Sequence, residues 1–473
     1  MCGIAGIWVQ KDYRTEDTTQ KMLNVIRHRG PDGEGVFSPN PTLSLGHVRL
    51  SIIDVAHGKQ PMTSADQQYT IVFNGELYNY IELREILIKK GISFLTNSDT
   101  EVLLNMFKVF GKKMLQHLNG MYAFAIYNTQ TETIFAARDH FGIKPFYYFQ
   151  NDQIFAFASE IKALVQIPEI KAEIDEKSLH EYLTFQFVLK KHTLFKGVLK
   201  LEPGTCLTVR KGKVVEKEKY WSIDYSIEEG KSEEDYAAEL ERLLERSIEL
   251  QMRSDVPVGS YLSGGLDSSA TTILGAKHSL GTFKTFTGAF KESKDYDETE
   301  YAKIAAEEVG AEQHVIYPSH NDFIEHFENI IYMMDEPAAG PGVFPQYMVS
   351  KMASEHVKVV LGGQGGDEIF GGYARYAVAY LEQCLKGAIF ETQEEGQHIV
   401  TLQTIIKNMP VLKQYVPMLK KQFSKGLFEP MDRRYYQMID RSPNLEHIYS
   451  NELLSSRNED ALFDKYHQIF NRA

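Results

Sequence analysis

A cysteine stands directly after the initiator methionine and is followed by glycine. Removal of Met1 would leave Cys2 with both a thiol and a free α-amine. Such an amine, with a pKa of about 8, can take the thiol proton directly or through one water, so nucleophile and base share one residue. The other two cysteines, Cys206 in an apolar strand-like stretch and Cys384 in a helical pattern, read as inert packing residues. A second stretch with chemical potential is Ser263-Gly264-Gly265-Leu266-Asp267-Ser268-Ser269, between a strand pattern and a helix pattern. Glycines allow tight curvature there, and amides with serine hydroxyls at a helix N-terminus make a phosphate cradle. Asp267 would oppose a phosphate unless a bridging Mg²⁺ reversed the sign of the interaction. A third string, Gly362-Gly363-Gln364-Gly365-Gly366-Asp367-Glu368, ends another strand pattern. Gly230-Lys231-Ser232 imitates the end of a Walker A motif, but Tyr225 occupies the position of its first glycine.

Around Cys2 the text continues with His28-Arg29-Gly30-Pro31-Asp32, Arg49-Leu50-Ser51-Ile52-Ile53-Asp54, Phe73-Asn74-Gly75-Glu76, Ser98-Asp99-Thr100-Glu101 and Ala137-Arg138-Asp139-His140-Phe141-Gly142. In order and spacing these resemble the class II glutamine amidotransferases, whose glutaminase domain opens with a catalytic N-terminal cysteine. The resemblance implies that Cys2 attacks the glutamine amide. It implies Arg49 as a bidentate clamp for the substrate α-carboxylate, within a binding segment of Arg49, Leu50, Ser51, Ile52 and Ile53. Glu76 and Asp99 resemble the acceptors of its α-ammonium. The Asn74 side chain and the Gly75 N–H would form the oxyanion hole. Taken alone, Asn74-Gly75 reads as a hairpin turn and Arg49 as half of a surface ion pair. His28 and His47 suggest a Cys–His dyad, which the N-terminal amine makes unnecessary.

The first glycine string resembles the pyrophosphate loop of N-type ATP pyrophosphatases, which form acyl-adenylates. The second, with Ile369-Phe370-Gly371-Gly372-Tyr373, resembles a signature of the asparagine synthetase family. Together they imply ATP held by Leu262, Ser263, Gly264, Gly265, Leu266, Asp267, Ser268, Gly288, Gly362 and Gly363, with Leu262 and Gly288 beside adenine, and Mg²⁺ held by Asp267 and Asp367. Asp335-Glu336-Pro337 fits a segment of many relatives and reads equally as a helix end. The implied enzyme is a ligase: ammonia from glutamine attacks a β-aspartyl adenylate made from aspartate and ATP, giving asparagine, AMP and pyrophosphate. Two departures stand out. Some family members carry a glutamate where Gln364 stands, and an amide cannot act as a base. The family's Asp-Arg…Glu-x-Arg-x-Pro-Phe-Leu-Asp stretch is not found, since Asp440-Arg441-Ser442 diverges into Pro443-Asn444, so the synthetase domain is expected to be incomplete. Amidation of another carboxylate, such as a cell-wall or surface-polymer precursor, and a non-synthetic glutamine or nucleotide sensor are the rival readings.

The elements that must position these residues follow from periodicity. Strands are expected at 3–9, 43–49, 69–74, 123–127, 133–138, 146–149 and 154–158, with helices at 80–90 and 99–110. Many short strands with few helices imply packed antiparallel sheets, and the resemblance an αββα sandwich of the N-terminal-nucleophile type. From Ser232, which has Asp235 as a capping-box partner and an apolar stripe of Ala237, Leu240, Leu244 and Ile248 behind it, helices alternate with strands at 256–262, 283–290, 314–316 and 357–361. That alternation implies a parallel α/β sheet of the adenine nucleotide α-hydrolase type, with both glycine loops at strand carboxyl ends. The expected division is a glutaminase domain at 1–210, a linker at 211–231 and an ATP-binding synthetase domain at 232–473.

Composition narrows the classes. With 64 acidic against 51 basic residues the net charge is -13, which disfavours non-specific contact with nucleic acid or anionic lipid. No 18-residue apolar run suggests a membrane span, and the N-terminus lacks the basic start and long apolar stretch of a signal peptide. Three cysteines are too few for a disulfide framework and point to a reducing cytoplasm. A homodimer is one assembly the resemblance allows.

Overall fold

Strict alternation organises the first half of the chain. In β1 (Gly3–Val9) Ile4 and Trp8 enter one core while Ala5, Ile7 and Val9 enter another, the mark of a strand buried on both faces. A computed structural model describes the chain apart from residues 12–13, 227–229, 291–296, 338–339, 341, 391–411, 414, 445–446, 448, 472–473 and the Asn444 side chain. Ten more strands follow before residue 211: β2 (Gly33–Asn40), β3 (Leu43–Arg49), β4 (Met62–Thr63), β5 (Tyr69–Leu77), β6 (Gly120–Asn128), β7 (Thr133–Arg138), β8 (Tyr147–Gln150), β9 (Ile154–Ala158), β10 (Val198–Lys200) and β11 (Thr205–Arg210). With β12 (Lys213–Lys219) they make two six-stranded sheets, ordered β10-β8-β9-β1-β3-β2 and β12-β11-β7-β6-β5-β4. Their named pairs are antiparallel.

The sheets face each other across a core that includes Ile4, Leu45, Val72, Ala125 and Leu207. Helix α1 (Thr15–Val25) covers the outer face of the first sheet through Met22 and Leu23. Helices α2 (Tyr80–Lys89) and α3 (Asp99–Phe110) cover the second sheet through Leu83, Leu87, Val102 and Met106. This is the αββα sandwich the resemblance implies. Among the elements that escaped the sequence pattern, three show why. In α1 the buried face carries Thr15, Thr18 and Thr19, which blurs its apolar stripe. Glycines and a proline make β2 read as a turn, yet it is an edge strand, where such residues are tolerated. β12 falls in the stretch expected as a linker; its exposed face is charged, as edge strands often are.

The second half is a four-stranded parallel sheet of β13 (Val258–Tyr261), β14 (Lys284–Gly288), β15 (Glu312–Ile316) and β16 (Val359–Leu361), in the order β15-β14-β13-β16. Helix α4 (Ile161–Leu164) packs on the first sheet and α5 (Glu176–Phe185) follows it, while α6 (Glu233–Gln251) leads into the parallel sheet. Ser232 caps α6 with Asp235 as its capping-box partner, so the Gly230-Lys231-Ser232 string is a helix start. Of its expected stripe only Ile248 is buried, while Ala237 and Leu240 are exposed. Helices α7 (Leu266–Lys277), α8 (Thr299–Glu308), α9 (His320–Met334) and α10 (Val343–Ser354) make the crossovers, and α11 (Gly366–Phe370) follows β16. Strand order reverses between the neighbours β13 and β16, and ligands of such sheets bind in the crevice beyond that point. Both glycine loops lie there. Farther on, Tyr436 and Tyr466 pack on Phe185 of α5, tying the C-terminal helices to the chain's middle. Among the described residues no helix is long and apolar enough to cross a membrane.

Candidate active site

Cys2 precedes Ile4 by two residues and Asn74 follows Val72 by two, so alternation turns both side chains toward the layer between the sheets. The antiparallel register of β1 with β3 places Gly3 against Val48 and carries the chain on to Leu50, whose N–H donates to Cys2 Sγ at 3.3 Å. The Cys2 carbonyl accepts from Arg29 Nε at 2.9 Å. A polar cleft here is lined by Cys2, Arg49, Leu50, Ile52, Ile53 and Gly75, and beyond them by Glu76 and Asp99. Ser51 stands apart from that lining, its N–H donating to Asp32 at 2.8 Å. Arg49 gives three N–H bonds to the carbonyls of Ile53, Asp54 and Val55, which fixes its guanidinium on the loop at 50–55.

Asn74 and Gly75 lie inside β5, paired with Ala123 and Tyr122, so the hairpin reading of that dipeptide is wrong. A Cβ at Gly75 would sit 2.2 Å from the Met121 carbonyl oxygen, which excludes any side chain there. Asn74 is fully buried, and neither its Oδ1 nor its Nδ2 has a hydrogen-bond partner. An unpaired buried amide costs about 1–3 kcal/mol, so a group that satisfies it only during reaction is a sound account of its persistence.

Charge in the cleft is poorly solvated. Burial raises the Cys2 thiol, and it pushes the Met1 ammonium down to about 5. With Met1 attached, that amine is neutral near pH 7. Burial raises Asp99 to about 6, although it accepts from the Leu77 N–H at 3.0 Å. Glu76 is raised well above the carboxylate range by burial and then by Asp99. His47 is pushed down to about 3 by burial and bonds the Phe73 carbonyl at 3.0 Å, while His28 bonds Glu160 at 2.9 Å; neither is partnered with Cys2. Lys144, which no sequence motif singles out, lies buried in this neighbourhood and is lowered to about 8 by burial, with Glu76 pulling the other way. Its place beside Asp139, whose carboxylate accepts four backbone N–H groups including that of Lys144, was the available signal.

In the second half, Ser263 and Ser268 hydroxyls lie 3.0 Å apart across the first glycine loop, and Gly264 takes φ +98°. The two glycine loops touch: a Cβ at Gly363 would meet Ser268 N at 2.9 Å, and one at Gly366 would meet Asp267 Oδ2 at 2.2 Å. Asp267 therefore abuts the residue before Asp367, whose own carboxylate lies against Gly372. The Leu262 side chain is fully buried under Ala302, Ala305 and Ala306 of α8, so only its backbone can face a ligand, and Leu266 is 85 % exposed. Gly288 ends β14 against Val349. Gln364 donates to Gln346 Oε1 at 3.1 Å. Asp335 is neither a plain helix end nor a crevice residue: its carboxylate accepts from the Ile161 and Lys162 N–H groups and pairs with Lys162 at 2.9 Å.

A model of the glutamine amidotransferase domain matches residues 1–221, and one of asparagine synthase matches 239–465. The chain is 41% identical to asparagine synthetase (glutamine-hydrolyzing) 1 of Bacillus subtilis strain 168 over 382 residues, which cover 80% of this chain and 59% of that protein, so it spans less than two thirds of that relative's length. It is 38% identical over 413 residues to a Methanocaldococcus jannaschii protein provisionally named asparagine synthetase (glutamine-hydrolyzing) 2, covering 80% of this chain and 77% of that one. The solved glutamine phosphoribosylpyrophosphate amidotransferase of B. subtilis, complexed with ADP and GMP, is 18% identical, with a TM-score of 0.36 over 68% of this chain and 69% of that one. A thiol at the chain's start beside a carboxylate-lined cleft, two glycine loops on adjacent parallel strands, and identity across both halves have one common account: the chain belongs to the glutamine-hydrolysing asparagine synthetase family.

Proposed function

We propose that the chain, with a glutaminase domain in its first half that includes β12 and a synthetase domain at 232–473, makes asparagine from aspartate, ATP and glutamine in the cytoplasm. The observation that carries this reading is the fully buried, unpartnered Asn74 amide on the strand whose next residues, Gly75 and Glu76, line the cleft with Cys2. With Met1 removed, the Cys2 amine takes the thiol proton and the thiolate attacks the glutamine amide carbon. Asn74 Nδ2 and the Gly75 N–H stabilise the oxyanion, ammonia leaves, and water hydrolyses the thioester. Arg49 holds the substrate carboxylate, while Glu76 and Asp99 accept its ammonium. In the crevice, backbone of Leu262, Gly288, Gly362 and Gly363 with Ser263–Ser268 would hold ATP as aspartate attacks its α-phosphate. Asp267 and Asp367 are the hard oxygen donors that Mg²⁺ takes together with phosphates; when bound, it supplies charge neutralisation to the leaving pyrophosphate. Ammonia then attacks the acyl adenylate.

The assay is direct. Protein with glutamine and Mg-ATP, with and without aspartate, is followed for glutamate, pyrophosphate and asparagine; aspartate-dependent pyrophosphate and asparagine are expected. Glutamate formation without asparagine under any condition would favour another carboxylate as acceptor, a reading that Gln364 keeps open. The cleft carboxylates add a pH signature. Asp99 must be ionised to receive an ammonium, and burial raises it to about 6. Its charged fraction therefore falls as pH drops through that value, and KM for glutamine should rise about tenfold from pH 7 to pH 5. In Asp99→Asn the KM is high throughout and the pH dependence flattens.

A further inference from the structure

The turn that follows β7 carries a lysine up to the start of the chain. Arg138 Nε donates to the Lys144 carbonyl at 2.7 Å and its Nη2 to the Gly142 carbonyl at 2.6 Å, while the Lys144 N–H donates to Asp139 at 3.0 Å. Gly142 takes φ +69°, a conformation glycine adopts without strain. Held in this way, Lys144 is only 4 % exposed. Its ammonium meets the Met1 thioether at 2.8 Å, and among the described residues no carboxylate is paired with it. A thioether is a weak acceptor, so the cation is buried with little to replace its hydration. Arg29, the other cation at the head of the chain, is already engaged: Nη1 donates to Glu160 at 2.8 Å and Nε to the Cys2 carbonyl at 2.9 Å. Asp139 in turn directs its carboxylate at four backbone N–H groups. Lys144 is thus the cation left uncompensated beside Cys2.

We propose that Lys144 is the positive charge that readies the glutaminase cleft: once Met1 is gone, its ammonium keeps the Cys2 amine in the base form and Glu76 in the anionic form that receives the substrate ammonium. The inference rests on the N-terminal cysteine chemistry proposed above. The Met1 sulfur lies one methionine side chain away from the Cys2 nitrogen, so removal of Met1 takes the partner of Lys144 and leaves its ammonium facing the new chain start. The charged groups around that ammonium are the amine and thiol at the head of β1, Glu76 of β5, Arg29 of the turn Arg27–Arg29, and Asp139. Asp99 and Arg49 also act on Glu76. Burial lowers the amine and raises the thiol and Glu76, whereas the Lys144 charge lowers all three. Burial brings Lys144 itself down to about 8, which leaves it charged at pH 7. The sign is therefore the same at each group: without this cation, the amine holds its proton, Glu76 stays neutral and the thiol stays protonated to higher pH.

The test follows kcat/KM for glutamine, from glutamate release, between pH 5 and pH 9 in the unchanged full chain and in Lys144→Met, Lys144→Gln and Lys144→Arg. The rate at which iodoacetamide alkylates Cys2, read on the N-terminal peptide by mass spectrometry, is measured over the same range. The acid limb of kcat/KM reports groups of the free enzyme. In Lys144→Met that limb should move up by about 1 in pH, the size of one neighbouring charge, and the alkylation curve should move the same way. Lys144→Arg retains the charge and should keep both curves where they stand in the unchanged protein. A merely structural lysine would lower the rate at every pH alike, so acid limbs that stay in place in both Lys144→Met and Lys144→Gln overturn the proposal. Methionine fills a similar volume without a buried charge, and the melting temperature should hold; should that variant fail to fold, Lys144→Gln decides. Absence of glutamate release from the unchanged protein counts against the glutaminase reading, while the alkylation curves still test the charge at Lys144 independently.

Discussion

Cys2→Ala abolishes glutamine hydrolysis, a loss on the order of 10⁴-fold or more in kcat, because no other thiol lines the cleft to form the thioester. Under the proposed function the same variant should keep asparagine formation from ammonium ions, since no residue of the glycine loops lines the cleft with Cys2. Folding is little disturbed: the thiol makes only a weak contact with Leu50, whose N–H donates at 3.3 Å. Cys2→Ser separates nucleophilicity from shape, keeping a hydroxyl that the amine deprotonates poorly, and should be almost as inactive. Parallel assays of glutamate from glutamine and of asparagine from ammonium check both halves of this expectation.

Asn74→Ala lowers kcat for glutamine hydrolysis by about 10²–10³-fold with KM little changed, the effect of removing one oxyanion donor. Its stability consequence is more telling. Neither amide atom is paired in the resting protein, so the substitution removes a buried unsatisfied group, and the melting temperature should hold or rise. A residue whose loss costs rate but not stability is tuned to the transition state. A structural asparagine would behave oppositely, losing several degrees at unchanged kcat. Thermal unfolding beside steady-state kinetics distinguishes the two.

Much of this was legible in the sequence where the signal was local. The alternation in Gly3–Val9, the capping box at Ser232 and the glycine strings after two apolar runs each depend on residues a few positions apart, and each element stands where that pattern puts it. The antiparallel sandwich and the parallel sheet followed from the same periods. Where burial is achieved by threonine, as in α1, or where an edge strand is charged, as in β12, the pattern no longer reports the element. The stripe of α6 misled in the other direction: its periodicity is helical, but the helix meets few neighbours along Ala237 and Leu240. At the cleft, residue type announced Cys2 and the resemblance singled out Arg49, Asn74, Gly75 and Asp99, while the turn that Asn74-Gly75 suggests taken alone gives way to pairing within β5. Lys144 carried only a local signal, its place beside Asp139, whereas Lys358 could not be found locally. Its partner Asp32 is 326 residues away, and only the fold brings them together. Leu262 marks the reverse limit, since motif position alone does not say whether side chain or backbone faces the ligand.

The proposed glutamine hydrolysis rests on a free α-amine and a thiol residing on one residue. Protein treated with a glutamine-derived diazoketone and then digested should yield, by peptide mass spectrometry, an N-terminal peptide that begins at Cys2 and carries the label on its sulfur, in proportion to lost glutaminase activity. Retention of Met1 on fully active protein, or inactivation with the label on any other residue, would contradict it.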